Sequence, residues 1–208
     1  SNMFNAVINL CLVDLLPAIK KFLKLPLQTQ NSEGKIIPAK KSKNWKKIGF
    51  IIRGYLIQIL NILNVVSDVS ILATLLHHTL DLIPFFISFS HLNRRLIKKM
   101  IESWSEGEEK VRIISFLCIL RISRNEEKFM LSFILKKLYF SYIKNCKFTT
   151  IDTWPSINFM MRSLIELYSL DHVLAYQHAF VFIKQLAIQL RNAMTIKKKV
   201  RKTYYRIC

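Results

Sequence analysis

The 208-residue sequence has few of the residues that make tight turns, with four glycines and five prolines. Folds built from many short strands need frequent turns and use both residue types often. The shortage therefore argues against an all-β chain and favours helices. Hydrophobic residues make up 51% of the sequence and aromatic residues 12%, so the chain can form a packed core, which a disordered basic tail cannot.

Acidic residues are also scarce, since 13 Asp and Glu stand against 32 Lys and Arg and leave a formal net charge of +19. Such an excess of positive charge repels itself unless an anionic partner neutralises it. Nucleic acid is the common partner of a basic chain, and an anionic membrane surface is the second candidate. The imbalance predicts association with polyanions without identifying one.

The sequence lacks the motifs of nucleotide, metal and nucleophile chemistry. It contains no Gly-rich phosphate loop, no serine elbow and no HExxH pair. Its cysteines are widely spaced, which predicts reduced thiols and no zinc site: Cys11, Cys118, Cys146 and Cys208. The only acid cluster, at 102–109, is explained by roles at helix ends. We therefore predict no enzyme activity, no metal site and no cofactor.

Basic residues are missing from the apolar stretch 54–93, whose only formal charges are Asp68 and Asp81. Its longest uncharged run, 54–67, has 14 residues, whereas a membrane span needs about 18 or more. We therefore predict buried helices and no membrane span. Because these helices have more apolar surface than one buried face requires, we expect either a deep core layer or a docking face for a partner.

Apolar residues recur every three or four positions through most of the chain, which predicts helices. Helix starts are predicted at residues that cap free backbone N–H groups or suit the first turn: Ser67 or Asp68, Asn125, Thr153-Trp154-Pro155, and Asp171. Ser105 and Glu108 have the spacing of a capping box, which predicts another start at Ser105. Pro84 is expected to kink or end its helix.

Helix pairs recur about every 40 residues, and this period predicts an all-α fold of the HEAT- or armadillo-like repeat type, an α-solenoid. In such a stack each helix pair buries its face against the next. We predict one α-helical repeat domain over 1–208, with a basic loop at 26–44 and a basic C-terminal tail or helix end at 195–208. Because the chain begins at Ser1 and not at Met, it is expected to be part of a longer protein.

Two lysine-rich segments are candidates for contact with RNA phosphates. The first closes the loop and contains Lys40, Lys41, Lys43, Lys46 and Lys47. The second contains Lys197, Lys198, Lys199, Arg201 and Lys202. For the first segment, an ordinary solvated loop is an equally good interpretation.

The last predicted helix carries a second candidate surface. Gln177, Lys184 and Arg191 share a polar face at heptad spacing, which is either a solvated face or a surface for a partner or RNA. The positions predicted to face inward are apolar: Ala175, Ala179, Phe182, Leu186, Leu190 and Ala193. Tyr176, His178 and Phe180 are expected to belong to the core.

Three groups of residues in the second half carry a family resemblance. They are WSEGEE at 104–109 with VRI at 111–113, PSINFM at 155–160 with LY at 167–168 and LDH at 170–172, and AYQHAF at 175–180 with QLAI at 185–188 and LRN at 190–192. In this order, over about 90 residues, they resemble the nucleolar complex protein 2 family.

The resemblance implies a non-catalytic α-helical repeat scaffold in the assembly of the large ribosomal subunit. It further implies a location in the nucleus, in nucleolus and nucleoplasm, and a heterodimer with nucleolar complex protein one or three. The partners would be pre-ribosomal particles and ribosomal RNA, with no membrane and no small-molecule substrate. The alternative is a chromatin- and histone-binding corepressor module, as some animal members of the family are described, and a third is a helical protein on a membrane surface.

Overall fold

The computed structural model describes residues 13–24, 36, 38–125, 128–147 and 149–207, and this part of the chain is all-α. Its helices are α1 (Leu15–Phe22), α2 (Trp45–Val65), α3 (Val69–Phe86), α4 (Ser90–Glu106), α5 (Glu109–Ser123), α6 (Lys128–Asn145), α7 (Trp154–Tyr168) and α8 (His172–Ile207). A 3-10 turn at Ala39–Lys41 precedes α2. The predicted all-α class is confirmed.

The chain divides into two compact units, Ser1–Leu167 and Tyr168–Cys208. In the first unit, α3 packs against α2, α4 and α5, and α4 packs against α2, α5 and α6. Packing against both the next helix and the one after it is the pattern expected of stacked helix pairs. The arrangement is consistent with the predicted helical repeat, while one domain over 1–208 stays a prediction.

The core of the first unit forms where the predicted stripes face inward. The stripe of α4 is buried over its whole length: Leu92, Leu96, Met100 and Trp104. The second half of α3 adds Leu76, Leu82, Ile83, Phe85 and Phe86. Each such side chain contributes roughly 1.5–3 kcal/mol when it leaves water, so these two helices supply much of the stability of the unit.

The apolar stretch 54–93 divides between core and surface. Its part in the second half of α3 forms the deep core layer that the sequence predicts. Towards the end of α2 and the start of α3, Ile62, Val65 and Ile71 are exposed. The core alternative is therefore confirmed for the second half of α3 and wrong for these three residues, for which the docking-face alternative stays a prediction.

By length and composition, α2 and α3 could each cross a membrane. Within an apolar stretch of 18 residues in each helix, 28% of the stretch in α2 and 50% of the stretch in α3 are buried inside the chain. The outward side of α2 exposes apolar Phe50 and Ile51. It exposes polar groups along the same side as well: Arg53, Gln58, Asn61 and Asn64. A helix surrounded by lipid avoids such groups, so the mixed outer face favours a helix packed in protein.

Pro84 lies inside α3, and the helix continues to Phe86. Because proline has no backbone N–H, the carbonyl of Leu80 loses the partner that another residue would supply. Arg121 of α5 donates from Nη1 to this carbonyl oxygen at 3.1 Å. Of the two outcomes predicted for Pro84, an end to the helix is wrong, because the neighbouring helix replaces the missing hydrogen bond; a kink stays a prediction.

Three predicted helix starts are confirmed. The Asp68 Oδ1 accepts hydrogen bonds from the backbone N–H groups of Ser70 and Ile71, both at 2.9 Å. Asp171 caps α8 in the same way, and Pro155 occupies the first turn of α7. The two aspartate side chains satisfy backbone donors that a helix cannot pair by itself, whereas Pro155 suits the first turn because it has no N–H group to satisfy.

Asn125 is engaged with the helix before it. Its Nδ2 donates to the carbonyl of Arg121 at 2.6 Å, and its Oδ1 accepts from the backbone N–H of Ile36. The residues between Asn125 and the start of α6 at Lys128 lie outside the described part of the chain. The prediction that Asn125 caps α6 therefore also falls outside the described residues.

The capping box predicted at Ser105 and Glu108 is wrong. Helix α4 runs through Glu106, and Ser105 is buried in its last turn, where its hydroxyl donates to the carbonyl of Glu102 at 3.0 Å. Helix α5 begins at Glu109. Helix α4 ends at Gly107. Only glycine fits there without displacing its neighbours, because a Cβ at that position would lie 2.4 Å from the Ser103 carbonyl oxygen.

The second unit consists mainly of α8, whose side chains are described as far as Ile196. Among the positions predicted to face inward, Phe182 is buried and Ala175 is half-buried. The other four are exposed: Ala179, Leu186, Leu190 and Ala193. The predicted inward face is wrong for these four, since a helix without a second layer inside its own unit leaves apolar positions in contact with water.

Candidate functional site

The lysine cluster comprises Lys40, Lys43, Lys46 and Lys47, all exposed around the start of α2. Three hydrogen bonds position this segment. The backbone N–H of Lys40 donates to the Ser88 hydroxyl at 3.1 Å, the Ser42 hydroxyl donates to the Leu23 carbonyl at 2.6 Å, and the Asn44 Nδ2 donates to the Phe22 carbonyl at 2.9 Å. Lys41 belongs to the 3-10 turn, and its side chain lies outside the described residues.

The electrostatics of the lysine cluster suit an anion. Helix α2 has no acidic residue in its first turn, and the side chain of its N-cap residue, Asn44, makes no capping hydrogen bond. Lys46 and Lys47 therefore add positive charge to the positive end of the helix dipole. The ammonium groups at this end can therefore attract a phosphate. One turn later, Phe50 is 85% exposed, which leaves an aromatic ring next to the cations.

The second predicted basic segment lies near the end of α8. The helix continues to Ile207, so the backbone of the segment is helical. The side chains of Lys197, Lys198, Lys199, Arg201 and Lys202 lie outside the described residues. Their contact with phosphate stays a prediction.

Gln177, Lys184 and Arg191 are all exposed and follow one side of α8. Beside them runs a row that we call the apolar seam, with intervals of alternately four and three residues: Tyr176, Phe180, Ile183, Ala187, Leu190 and Met194. All six are exposed, and the rings of Tyr176 and Phe180 stack at 6.4 Å between centroids. The expectation of Tyr176 and Phe180 in the core is wrong, whereas His178 is half-buried and stacks on Phe182 at 5.7 Å.

The sequence interpretation missed the seam. It assigned the apolar residues of α8 to an inward stripe that lies to one side of the seam and shares only Leu190 with it. The signal was present, because the seam repeats at intervals that average 3.5 residues, the heptad spacing of interacting helices. Periodicity identifies an apolar face but does not reveal whether the same chain covers it.

Two of the residue groups that carry the family resemblance meet at the starts of α5 and α7. They line a cleft of about 300 Å³ formed by Gly107, Glu108, Glu109, Arg112, Ile113, Pro155, Ser156 and Phe159. The Arg112 Nη2 donates to the carbonyls of Gly107 at 3.0 Å and Ser105 at 3.5 Å, and burial lowers the pKa of this guanidinium. Arg112 thus stabilises the carbonyl end of α4.

Three of the histidines and glutamates that could suggest catalysis have structural partners: His78, Glu102 and Glu106. His78 is buried with its Nε2 2.8 Å from the Tyr55 hydroxyl, whereas its neighbour His77 is exposed. Glu102 pairs with Lys99 at 3.1 Å, and Glu106 pairs with Lys144 at 3.4 Å. Among the described residues, no three His, Cys, Asp or Glu side chains are grouped so that they could hold a metal ion.

Comparison with known proteins gives consistent matches. The profile described as the Noc2p family matches residues 129–207. Nucleolar complex protein 2 of Drosophila melanogaster is 42% identical over 94% of this chain and 25% of its own length. Nucleolar complex-associated protein 2 of Arabidopsis thaliana is 30% identical over 98% of this chain and 27% of its own length.

A homologue of nucleolar complex protein 2 in Caenorhabditis elegans is 30% identical over 94% of this chain and 26% of its own length. The chain therefore spans about a quarter of the length of these curated relatives. The family resemblance of the three residue groups is confirmed, and the chain belongs to the Noc2p family.

Proposed function

We propose that the chain is a non-catalytic part of a nucleolar assembly factor for the large ribosomal subunit. It acts with a second nucleolar complex protein, one or three, on pre-ribosomal particles, and its lysine cluster contacts ribosomal RNA. The observation that carries the proposal is the similarity along nearly the whole chain to proteins named nucleolar complex protein 2. These names agree with the nuclear and nucleolar location expected from the resemblance.

The physical support for RNA contact comes from the lysine cluster. Its four described ammonium groups are exposed at the positive end of α2, and within the described residues none of them forms an ion pair. Each ammonium that approaches a phosphate releases condensed counterions. An exposed ring such as Phe50 can stack on an unpaired base, which adds affinity with little sequence preference.

The test measures binding to a fragment of precursor ribosomal RNA over a range of salt concentrations. The variant Lys46→Gln/Lys47→Gln should bind more weakly at low salt. The slope of log affinity against log salt should fall by about 0.7–0.9 for each phosphate that the variant no longer neutralises. The matched control is Lys136→Gln/Lys137→Gln, which removes two exposed, adjacent charges from α6. Equal weakening in both variants would show that only net charge matters, and would contradict a localised contact.

The cellular part of the proposal is tested by affinity purification. Large-subunit precursor RNA should be recovered together with nucleolar complex protein one or three. The chromatin alternative predicts core histones in place of precursor RNA, and the membrane alternative predicts flotation with anionic liposomes that RNase does not change. Either result without precursor RNA would overturn the proposed function.

A further inference from the structure

The apolar seam of α8 has the spacing of a helix-docking surface. Its residues follow intervals of 4, 3, 4, 3 and 4, which places them at alternating d and a positions of a heptad pattern. Tyr176 is 72% exposed, Ile183 is 65% exposed and Leu190 is 63% exposed. From Tyr176 to Met194 the seam runs along about 27 Å of helix axis at about 1.5 Å per residue. A continuous exposed seam of this kind is characteristic of a surface that another helix covers.

The flanks of the seam carry one sign of charge. Gln177, Lys184 and Arg191 occupy the e positions on one side. The g positions on the other side are uncharged: Ala179, Leu186 and Ala193. From His172 to Cys208 the sequence contains no Asp or Glu. Because e and g residues set partner choice through interhelical ion pairs, the occupant should carry carboxylates next to its own apolar residues.

A second copy of α8 does not satisfy this requirement. In an antiparallel pair, e positions face e positions and would bring Lys184 and Arg191 of one copy towards those of the other. In a parallel pair, e positions face g positions, which here are apolar and offer no carboxylate. Like charges across a helix interface disfavour pairing, so charge complementarity favours a different chain.

We propose that the apolar seam of α8 docks an amphipathic helix of a partner protein, with carboxylates that pair with Lys184 and Arg191. This inference deepens the proposed heterodimer and rests on it for the partner being a protein. Four of the six seam residues have no aromatic ring: Ile183, Ala187, Leu190 and Met194. They fit between the side chains of a facing helix and offer no ring on which a nucleic-acid base could stack.

The test uses the full chain and two designed helical peptides of about 21 residues, six turns. Both carry Leu at a and d, and they differ only in having Glu or Lys at the flanking positions. Fluorescence anisotropy should show that the Glu peptide binds at least tenfold more tightly than the Lys peptide. Lys184→Glu/Arg191→Glu should reverse this preference, because the variant presents carboxylates to the peptide. Equal binding of both peptides, or no binding of either, would overturn the proposal.

Position along α8 is tested with alanine variants, since alanine preserves helicity. Ile183→Ala/Leu190→Ala should weaken binding of the Glu peptide at least tenfold. The control Val181→Ala/Ile188→Ala removes two exposed apolar side chains that lie off the seam and should change affinity less than threefold. Equal weakening in both variants would overturn the seam, and circular dichroism should show unchanged helix content in each.

Two further measurements exclude other occupants. Sedimentation should show a monomer, and flotation with phosphatidylcholine–phosphatidylserine vesicles should be unaffected by Ile183→Ala/Leu190→Ala. Dimerisation or flotation that this variant abolishes would overturn the proposal in favour of a second copy or a lipid surface. RNA binding through the lysine cluster is measured separately, so its failure would count against the proposed function and leave the peptide result standing.

Discussion

At the scale of single residues, the segment WSEGEE with VRI is a structural joint between α4 and α5. Trp104 is fully buried, Gly107 ends the helix at a point of close approach, and Arg112 donates to carbonyls of the α4 end. A recognisable sequence motif thus has a packing role that needs no ligand. Trp104 fills the core, Gly107 allows the close approach, and Arg112 pairs with carbonyls at the end of α4.

Gly107→Ala should destabilise the chain by roughly 1–3 kcal/mol, the usual cost of forced overpacking. The added Cβ would lie 2.4 Å from the Ser103 carbonyl oxygen and 2.9 Å from the Val111 Cγ1. Gly54 is the matched control, because an added Cβ there meets no atom within 4 Å. Gly54→Ala should stabilise by about 0.5–1 kcal/mol through helix propensity. Chemical denaturation measures both, and equal signs would contradict the account.

Cys118 should resist alkylation in the folded protein. Burial raises the pKa of its thiol to about 12, so at about pH 8 only around one molecule in ten thousand carries the reactive thiolate. Cys146 is half-buried and should react with iodoacetamide before Cys118 does, as mass spectrometry of peptides would show. Both cysteines should react at similar rates in guanidinium chloride. Rapid labelling of Cys118 without denaturant would contradict the packing of α3 against α5.

At the scale of elements, α3 and α5 are coupled through one backbone carbonyl. The Leu80 oxygen, left without its helical partner by Pro84, accepts from Arg121. A sequence pattern shows the proline but not the arginine 37 positions later. Helix α3 therefore passes through Pro84 because tertiary contact compensates for a local defect.

A double-mutant cycle tests this coupling. Arg121→Met alone should cost roughly 1–3 kcal/mol, since it leaves a carbonyl without a partner. In the Pro84→Ala background the restored backbone N–H can bond to the Leu80 oxygen, so the same change should cost about 1 kcal/mol less. Arg124→Met at the exposed end of α5 is the control. Additive effects of Pro84 and Arg121 would show that the two are energetically independent.

How far the sequence predicts the elements depends on where the decisive interaction lies. The α4 stripe rests on the spacing of residues within one helix and the Asp68 cap on its own first turn, and both predictions hold. The junction at Ser105 depends on the close approach of Gly107 to Ser103, and the passage through Pro84 depends on Arg121 of another helix. The local sequence pattern therefore predicted the wrong helix boundary at both sites. The exposure of the α8 seam depends on what covers a helix, which periodicity does not encode. Lys40, Lys43, Lys46 and Lys47 are exposed, as either a solvated segment or a binding segment would be.

At the scale of the whole molecule, the excess of 19 positive charges should oppose folding through self-repulsion. Screening by salt weakens that repulsion, so the melting temperature should rise between about 20 mM and about 300 mM NaCl. Lys46→Gln/Lys47→Gln should reduce the rise, because it removes two charges that lie close together at a helix start. Calorimetry measures the effect, and a melting temperature that falls over this range would contradict it.

Helix α8 is long enough to carry two binding sites, so it fixes the relative orientation of the two partners that bind along it. The seam ends at Met194 and the basic segment begins at Lys197, less than one turn later on the same helix. If both act as proposed, the angle between a docked helix and a bound phosphate chain is set by the phase of the helix, about 100° per residue. Inserting two residues after Ile196 would rotate one site by about 200° relative to the other, whereas inserting seven would nearly restore the phase.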